Sequence, residues 1–167
     1  MKRLRKMQIS DLDEVLFWRN HPKIRESMFS QHKIDPEEHH NWFKLVSTDP
    51  SKHIMIYEDG GHALGYVNFS VAESDESADW GFYTSPLAPK GTGISLGMYA
   101  LRFAFNDLDL NMLRGQAIGS NKASINFHLK LGFSNEAILK GEFKQDTKYH
   151  DIICFSLHQK DWLKNNE

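Results

Sequence analysis

The 167-residue chain has the length of one ordinary domain and can bury roughly two-thirds of its unfolded surface. Its 20 Lys+Arg against 22 Asp+Glu leave a formal charge of −2, so it carries no basic footprint for nucleic acid, and no apolar run approaches the ~18 residues of a membrane span. The N-terminus lacks the apolar core of a secretory leader, and the single Cys154 cannot form an intrachain disulfide, both of which predict a cytoplasmic protein.

Leu4, Met7 and Ile9 predict a first strand whose cations Lys2, Arg3, Arg5 and Lys6 form a solvated face. Asp11 then caps a helix with the apolar face Leu12, Val15, Leu16 and Trp18, and His21-Pro22 breaks it. A short irregular helix is expected around Ile24 to Met28. Asp35-Pro36-Glu37-Glu38 combines a cap residue, a first-turn proline and acids at the positive helix end, and starts a helix carrying His39, Trp42, Phe43 and Val46. Ile54–Tyr57 and Leu64–Phe69 flank Asp59-Gly60-Gly61 as a β-hairpin, and a third strand covers about Ser77 to Thr84. A helix from Gly93 sets Ile94, Met98, Leu101 and Phe105 on one side. Leu113–Ile118 reads as a strand, Lys122–Leu131 as a helix, and Phe133–Phe143 with Lys148–Leu157 as a closing pair of strands. Cys154, within the last of these, is expected as a small core residue. No repeat, low-complexity tract or linker interrupts the chain, which predicts a single domain over 1–167.

Two segments carry the chemistry. In Lys90-Gly91-Thr92-Gly93-Ile94-Ser95-Leu96-Gly97, glycines stand where an apolar strand and the Ser85-Pro86 turn give way to a helix. Small residues there let backbone N–H groups approach an anion, and the helix N-terminus adds its positive dipole end, so the segment can cradle a pyrophosphate. About thirty residues on, Asn121-Lys122-Ala123-Ser124-Ile125-Asn126-Phe127-His128-Leu129-Lys130-Leu131-Gly132-Phe133 opens on a cap residue and stops at glycine before an apolar strand.

The ordered pair resembles the acyl-CoA-binding motifs of the GNAT superfamily of N-acetyltransferases, and the resemblance covers nearly the whole chain. It implies an α/β fold of the α+β type: a mixed, mostly antiparallel central sheet of about seven strands, splayed at its centre, with helices on both faces. It also implies acetyl-CoA as cosubstrate. The pantetheine arm would lie in the splay against the backbone of Phe82 and Tyr83. The pyrophosphate would meet the amides of Gly91, Thr92, Gly93, Ile94 and Ser95. Ala88 stands where the family often has a basic residue or glutamine, and Lys90 can supply that charge instead. Asn121, Ser124, Phe127 and Lys130 match further cofactor positions. Family members commonly place a tyrosine at position 128, as the acid that protonates the departing thiolate. The resemblance therefore gives that role to His128, whose unperturbed pKa near 6.5 permits proton exchange around neutrality. Near the splay stand Asp79, the only ionisable candidate for a base, Gln116, able to position water or the amine, and Asn68.

For the acceptor, the run Phe17 to Pro22, then Met28-Phe29-Ser30 and Glu38 to Phe43, looks like the sugar-nucleotide N-acetyltransferases of the pseudaminic acid pathway, which acetylate the 4-amino group of a UDP-linked dideoxy sugar. Arg19 offers a planar fork for phosphate, Met28, Phe29 and Trp42 an apolar bed, and His39 a phosphate contact. Ribosomal-protein N-terminal acetyltransferases, polyamine acetyltransferases and a CoA-binding regulatory domain without catalysis remain as alternatives. Adjacent His39 and His40 diverge on a helix and no His-x-x-x-His or Cys pair exists, so no metal site is expected. The expected partners are a small-molecule acceptor and at most a second copy of the chain, with neither nucleic acid nor membrane.

Overall fold

A computed structural model describes residues 1–166. Its centre is a seven-stranded sheet in the order β1-β2-β3-β4-β5-β7-β6. The strands are β1 Lys2–Lys6, β2 Lys52–Asp59, β3 His62–Val71, β4 Ser77–Thr84, β5 Met112–Ile118, β6 Ser134–Gln145 and β7 Lys148–His158. The helices are α1 Leu12–Asn20, α2 Pro22–Arg25, α3 Pro36–Thr48, α4 Thr92–Arg102, α5 Lys122–Lys130 and α6 Gln159–Asn165. Among the described residues no helix is long and apolar enough to cross a membrane.

Every neighbouring pair of strands is antiparallel except β4 and β5, which run parallel. That parallel ladder is short: it begins at Ser77↔Met112 and ends at Asp79↔Arg114. β3 accompanies β4 as far as Thr84, and β7 accompanies β5 as far as Ile118, so beyond Asp79 the two central strands separate with their outer partners still attached. The expected splay is therefore present, and it leaves backbone donors and acceptors facing a gap in the middle of the sheet.

Strand alternation sends Ala78, Trp80 and Phe82 to one face and Asp79, Gly81 and Tyr83 to the other. Trp80, Leu96, Leu101, Phe105, Phe133, Phe155 and Trp162 form the core on the first face, beneath α4, α5 and α6. Val15, Trp18, Ile56 and Tyr66 form a second core, against which Trp42 and Phe43 of α3 pack. Asp35 caps α3 as the sequence implies, its carboxylate accepting the Glu38 amide at 2.8 Å.

Several local expectations are corrected. Ile9 lies outside the first strand, in a 3-10 turn, and is 67% exposed. Asp11 does not cap α1 through its side chain. Its carboxylate accepts from Arg5 at 2.8 and 2.9 Å and from the Gln8 amide at 2.7 Å, so ion pairing outcompetes capping. Arg3 and Arg5 also converge on Glu58 of β2, so this part of β1 is not simply a solvated face. Cys154 is only half-buried. On α4 the inward stripe is Leu96, Gly97, Ala100 and Leu101, whereas Met98 is 47% exposed. The small residues decide this, because a Cβ on Gly97 would meet Phe127 and Leu131 at 2.9 and 2.8 Å, and Leu96 presses onto Gly65 of β3. A π turn at Phe103–Asp107 then brings Ala104 and Phe105 inward as well. α6 was not foreseen, and it buries Trp162 against Phe105 at 5.3 Å between ring centroids.

Candidate active site

The gap between β4 and β5 opens into a cavity of about 580 Å³. Its walls come from Asp79 to Thr84 of β4, Arg114 to Ala117 of β5, Gly93 of α4, Asn121, Ser124 and Phe127 of α5, and the segment from Lys23 to Phe29. At one end lies the glycine turn. Gly91 takes the left-handed conformation, φ 92°, as the residue before α4, a backbone state that side chains disfavour. Thr92 folds back, donating from its hydroxyl to the Pro89 carbonyl at 2.7 Å. The amides of Gly93 and Ile94 sit in the first turn, where no carbonyl four residues back belongs to the helix. Ser95 shares a 2.6 Å hydrogen bond with the Tyr57 hydroxyl. Lys90 is exposed beside this turn.

Asn121 caps α5 by accepting the Ser124 amide at 3.1 Å. Phe127 packs on Phe82 at 4.7 Å and stacks on Trp80 at 6.3 Å, forming one wall of the cavity. His128 is arranged differently from the expectation. Its side chain is 1% exposed, lies parallel to Phe155 at 4.6 Å, and does not line the cavity. Nδ1 donates to the Ser124 carbonyl at 2.8 Å, and Nε2 accepts from the Trp80 indole at 3.2 Å. The ring is thus neutral with its one proton committed, and burial pushes its pKa below the ordinary 6.5. Nothing in that arrangement presents a proton to a thiolate. Lys130 also lies apart, lining a separate cleft among α4, the end of α5 and α6.

Asp79 and Gln116 do border the large cavity. Asp79 is solvent-exposed and accepts from Arg114 at 3.3 Å, while the Gln116 amide contacts the Cys154 sulfur at 3.6 Å.

A second cavity of about 290 Å³ adjoins the first on the α1–α3 face, and Met28, Gly81, Phe82 and Tyr83 border both. Arg19, Met28, His39, Trp42 and Asn68 border it together, whereas Phe29 faces the larger cavity and packs edge-on against Phe143 of β6 at 5.4 Å. Arg19 Nη2 donates to the Ser30 carbonyl, but Nη1 is buried without a partner. Burial holds this guanidinium below the usual arginine value. Asn20 clasps the same segment, bonding both the carbonyl and the amide of Ile34 at 2.7 and 2.8 Å. His39 Nε2 donates its N–H to the Leu12 carbonyl at 3.0 Å and the ring stacks on Trp42 at 5.2 Å, so that nitrogen is not free for a phosphate.

Sequence reasoning missed Tyr66, and it treated Tyr83 only as backbone. The two rings stack at 4.6 Å and form the floor of the smaller cavity. Burial raises both phenols well above their ordinary value, so they stay neutral. The signal was available: Tyr66 alternates with Asn68 on β3 and so shares its face.

The sequence pattern of the acetyltransferase (GNAT) domain matches residues 3–134. The chain is 26% identical over 134 residues to Acetyltransferase PseH of Campylobacter jejuni subsp. jejuni serotype O:23/36 (strain 81-176), a match spanning 80% of this chain and 83% of that protein. A PseH from serotype O:2 of the same subspecies (strain ATCC 700819 / NCTC 11168) is 25% identical over the same shares. In three dimensions the chain resembles the spermidine N-acetyltransferase of Vibrio cholerae in complex with CoA and spermine, with TM-score 0.91 and 21% identity over 97% of this chain and 98% of that one. It is also similar to an N-acetyltransferase from Staphylococcus aureus Mu50, with TM-score 0.80 and 20% identity over 95% and 99% of the two chains. At these identities the two structures speak for the fold.

Proposed function

This chain belongs to the GNAT acetyltransferase family, and on that premise we propose that it is a cytoplasmic, single-domain enzyme that moves the acetyl group of acetyl-CoA to the 4-amino group of a UDP-linked 4-amino-4,6-dideoxy sugar. The cofactor half follows from two features that fit an acyl-CoA. The unpaired edge of β4 from Trp80 onward offers hydrogen bonds to the amides of a pantetheine arm. The left-handed Gly91 leaves the amides of Gly93 and Ile94 to face a pyrophosphate, with Lys90 nearby, whereas the Thr92 and Ser95 amides, also expected there from the sequence, already donate to the Pro89 and Gly91 carbonyls at 3.1 and 3.2 Å. Asn121 and Ser124 border the same gap and Phe127 walls it.

One observation carries the choice of acceptor: the cation Arg19 lines the smaller cavity, and its buried Nη1 has no partner. A polyamine would bring its own positive charge against that guanidinium, whereas a diphosphate or sugar oxygen accepts from it. The cavity's one carboxylate, Glu38, is already bonded to His32 at 2.7 Å. Trp42, Met28 and the Tyr66–Tyr83 stack supply flat apolar surface for a sugar ring and its 6-methyl group. At about 290 Å³ this cavity is at the small end of the ~300–1,000 Å³ usual for small-molecule sites, which suits one sugar ring. The nucleotide then extends outward along Met28 and Phe29. The similarity to Acetyltransferase PseH supports the sugar-pathway reading.

In the reaction the neutral amine attacks the thioester carbon at the junction of the two cavities. One proton must leave nitrogen and one must reach sulfur. The exposed Asp79 carboxylate takes the first through water, with Gln116 positioning that water. The Ser124 hydroxyl and cavity water deliver the second, since His128 is enclosed. The test is to incubate the chain with acetyl-CoA and, separately, a UDP-4-amino-4,6-dideoxy sugar, spermidine and N-terminal peptides, following thiol release and product mass. Preferential acetylation of the amino sugar is expected; preference for spermidine or a peptide would refute this acceptor.

A further inference from the structure

β3 and β4 pair so that Tyr66 stands opposite Tyr83 and Asn68 opposite Gly81. Gly81 comes two residues after Asp79, the last β4 residue joined to β5, so it lies where the sheet has already opened. It also borders both cavities, which makes it part of the wall through which cofactor and acceptor must meet. The absent side chain at Gly81 is what lets Asn68 occupy this point, because a Cβ there would stand 2.7 Å from Asn68 Oδ1. That oxygen is buried and has no hydrogen-bond partner, and Asn68 lines the acceptor cavity. A buried carbonyl left without a donor is destabilising unless something fills the role, and Asn68, itself only half-buried, borders the cavity from which a donor can come.

Resting on the N-acetyltransferase reading above, but not on which amine is used, we propose that Asn68 is a catalytic residue whose Oδ1 accepts an N–H of the acceptor amine. A neutral primary amine carries two N–H bonds and one lone pair. Giving one N–H to Asn68 fixes the nitrogen at the junction and turns its lone pair toward the gap between β4 and β5, where the thioester lies. The choice of a carboxamide matters. A carboxylate at this point would stabilise an ammonium ion, which has no lone pair to attack with, whereas a neutral oxygen leaves the amine free to lose its proton before reaction. The nearby Arg19 guanidinium acts in the same sense, by disfavouring a cation in the cavity.

The test compares three variants with the parent on the best amine of the acceptor panel, with acetyl-CoA affinity measured by calorimetry. Asn68→Leu keeps the branched shape and the number of side-chain heavy atoms and removes the acceptor; kcat should fall tenfold or more while acetyl-CoA affinity changes less than twofold. Asn68→Asp keeps an acceptor but adds charge; its kcat should be low near neutrality and recover as pH rises, displacing the pH–kcat profile upward from the parent's. Gly81→Ala should lower kcat by crowding the carboxamide off its position, and it serves if the leucine variant does not fold. An active parent beside an Asn68→Leu variant with parental kcat, or an Asn68→Asp variant with the parental pH profile, overturns the role of Asn68 alone. A parent that acetylates no amine overturns the proposed function and this role together.

Discussion

Replacing His128 by phenylalanine separates a chemical role for the ring from a packing role. The phenyl ring keeps the parallel contact with Phe155 at 4.6 Å and the edge contacts with Trp80 and Phe133 at 5.7 and 5.1 Å. It loses the Nε2 acceptor of the Trp80 indole and the Nδ1 donor to Ser124. The Ser124 carbonyl retains its place in the helix ladder, so its loss is small. The Trp80 indole N–H, in a residue 7% exposed, is left without a partner, which costs about 1–3 kcal/mol. For a domain of this size each kcal/mol lowers Tm by roughly 2–4 °C, so the melting temperature should drop by roughly 2–12 °C. Activity should survive: with Trp80 held by Phe127 and Phe133, kcat measured by single-turnover thiol release should fall less than about tenfold. A variant that melts like the parent yet loses ~10²-fold or more in kcat would show that the imidazole does chemistry, and the reading of His128 as an enclosed structural ring would be wrong.

Gly91→Val places a β-branched side chain at φ 92°, where the cradle turn requires glycine. Acetyl-CoA affinity by calorimetry should fall at least about tenfold, or ~1.4 kcal/mol, in a folded protein; unchanged affinity would move the pyrophosphate elsewhere. Arg19→Ala should raise KM for the amino sugar and leave acetyl-CoA binding as it was, because Arg19 borders only the smaller cavity; a matching loss of acetyl-CoA affinity would contradict the division between the two cavities. Burial lowers the pKa of His39, His53 and His128 from the ordinary 6.5. The unfolded chain therefore binds more protons than the folded one just below pH 6.5, so stability is full above that value and declines as the pH drops toward the lowered pKa values. Denaturant titrations between about pH 7.5 and about 5 should show this slope, and a flat series would mean these rings are not buried neutral.

Most of the fold was legible because its signals are local. Alternation in Ser77–Thr84 marks a strand wherever that strand ends up, and Asp35-Pro36 starts a helix with its own side chain. The cradle was legible for the same reason: the left-handed turn at Gly91 is a demand on one residue's backbone. Asn121 likewise caps its own helix three residues on. α6 carried no such mark, since His158 makes no side-chain cap and the helix is held by Trp162 reaching Phe105. The same limit applied at the site. Position 128 in a helix motif was readable, but what the imidazole touches was not, because its partner Trp80 is 48 residues away and meets it only where β5 provides Gly115. A Cβ on Gly115 would stand 2.5 Å from both His128 Nε2 and Trp80 Nε1. Asn68 and Gly81 show the limit most clearly. Gly81 carries no mark in its own strand and Asn68 was legible only as a polar residue near the splay, and it is the register of β3 on β4, together with the parting of β4 from β5, that sets them opposite each other at the junction of the two cavities. Backbone requirements are written residue by residue in the chain, whereas an unpartnered oxygen facing a cavity exists only after strands distant in sequence have paired and then been forced apart.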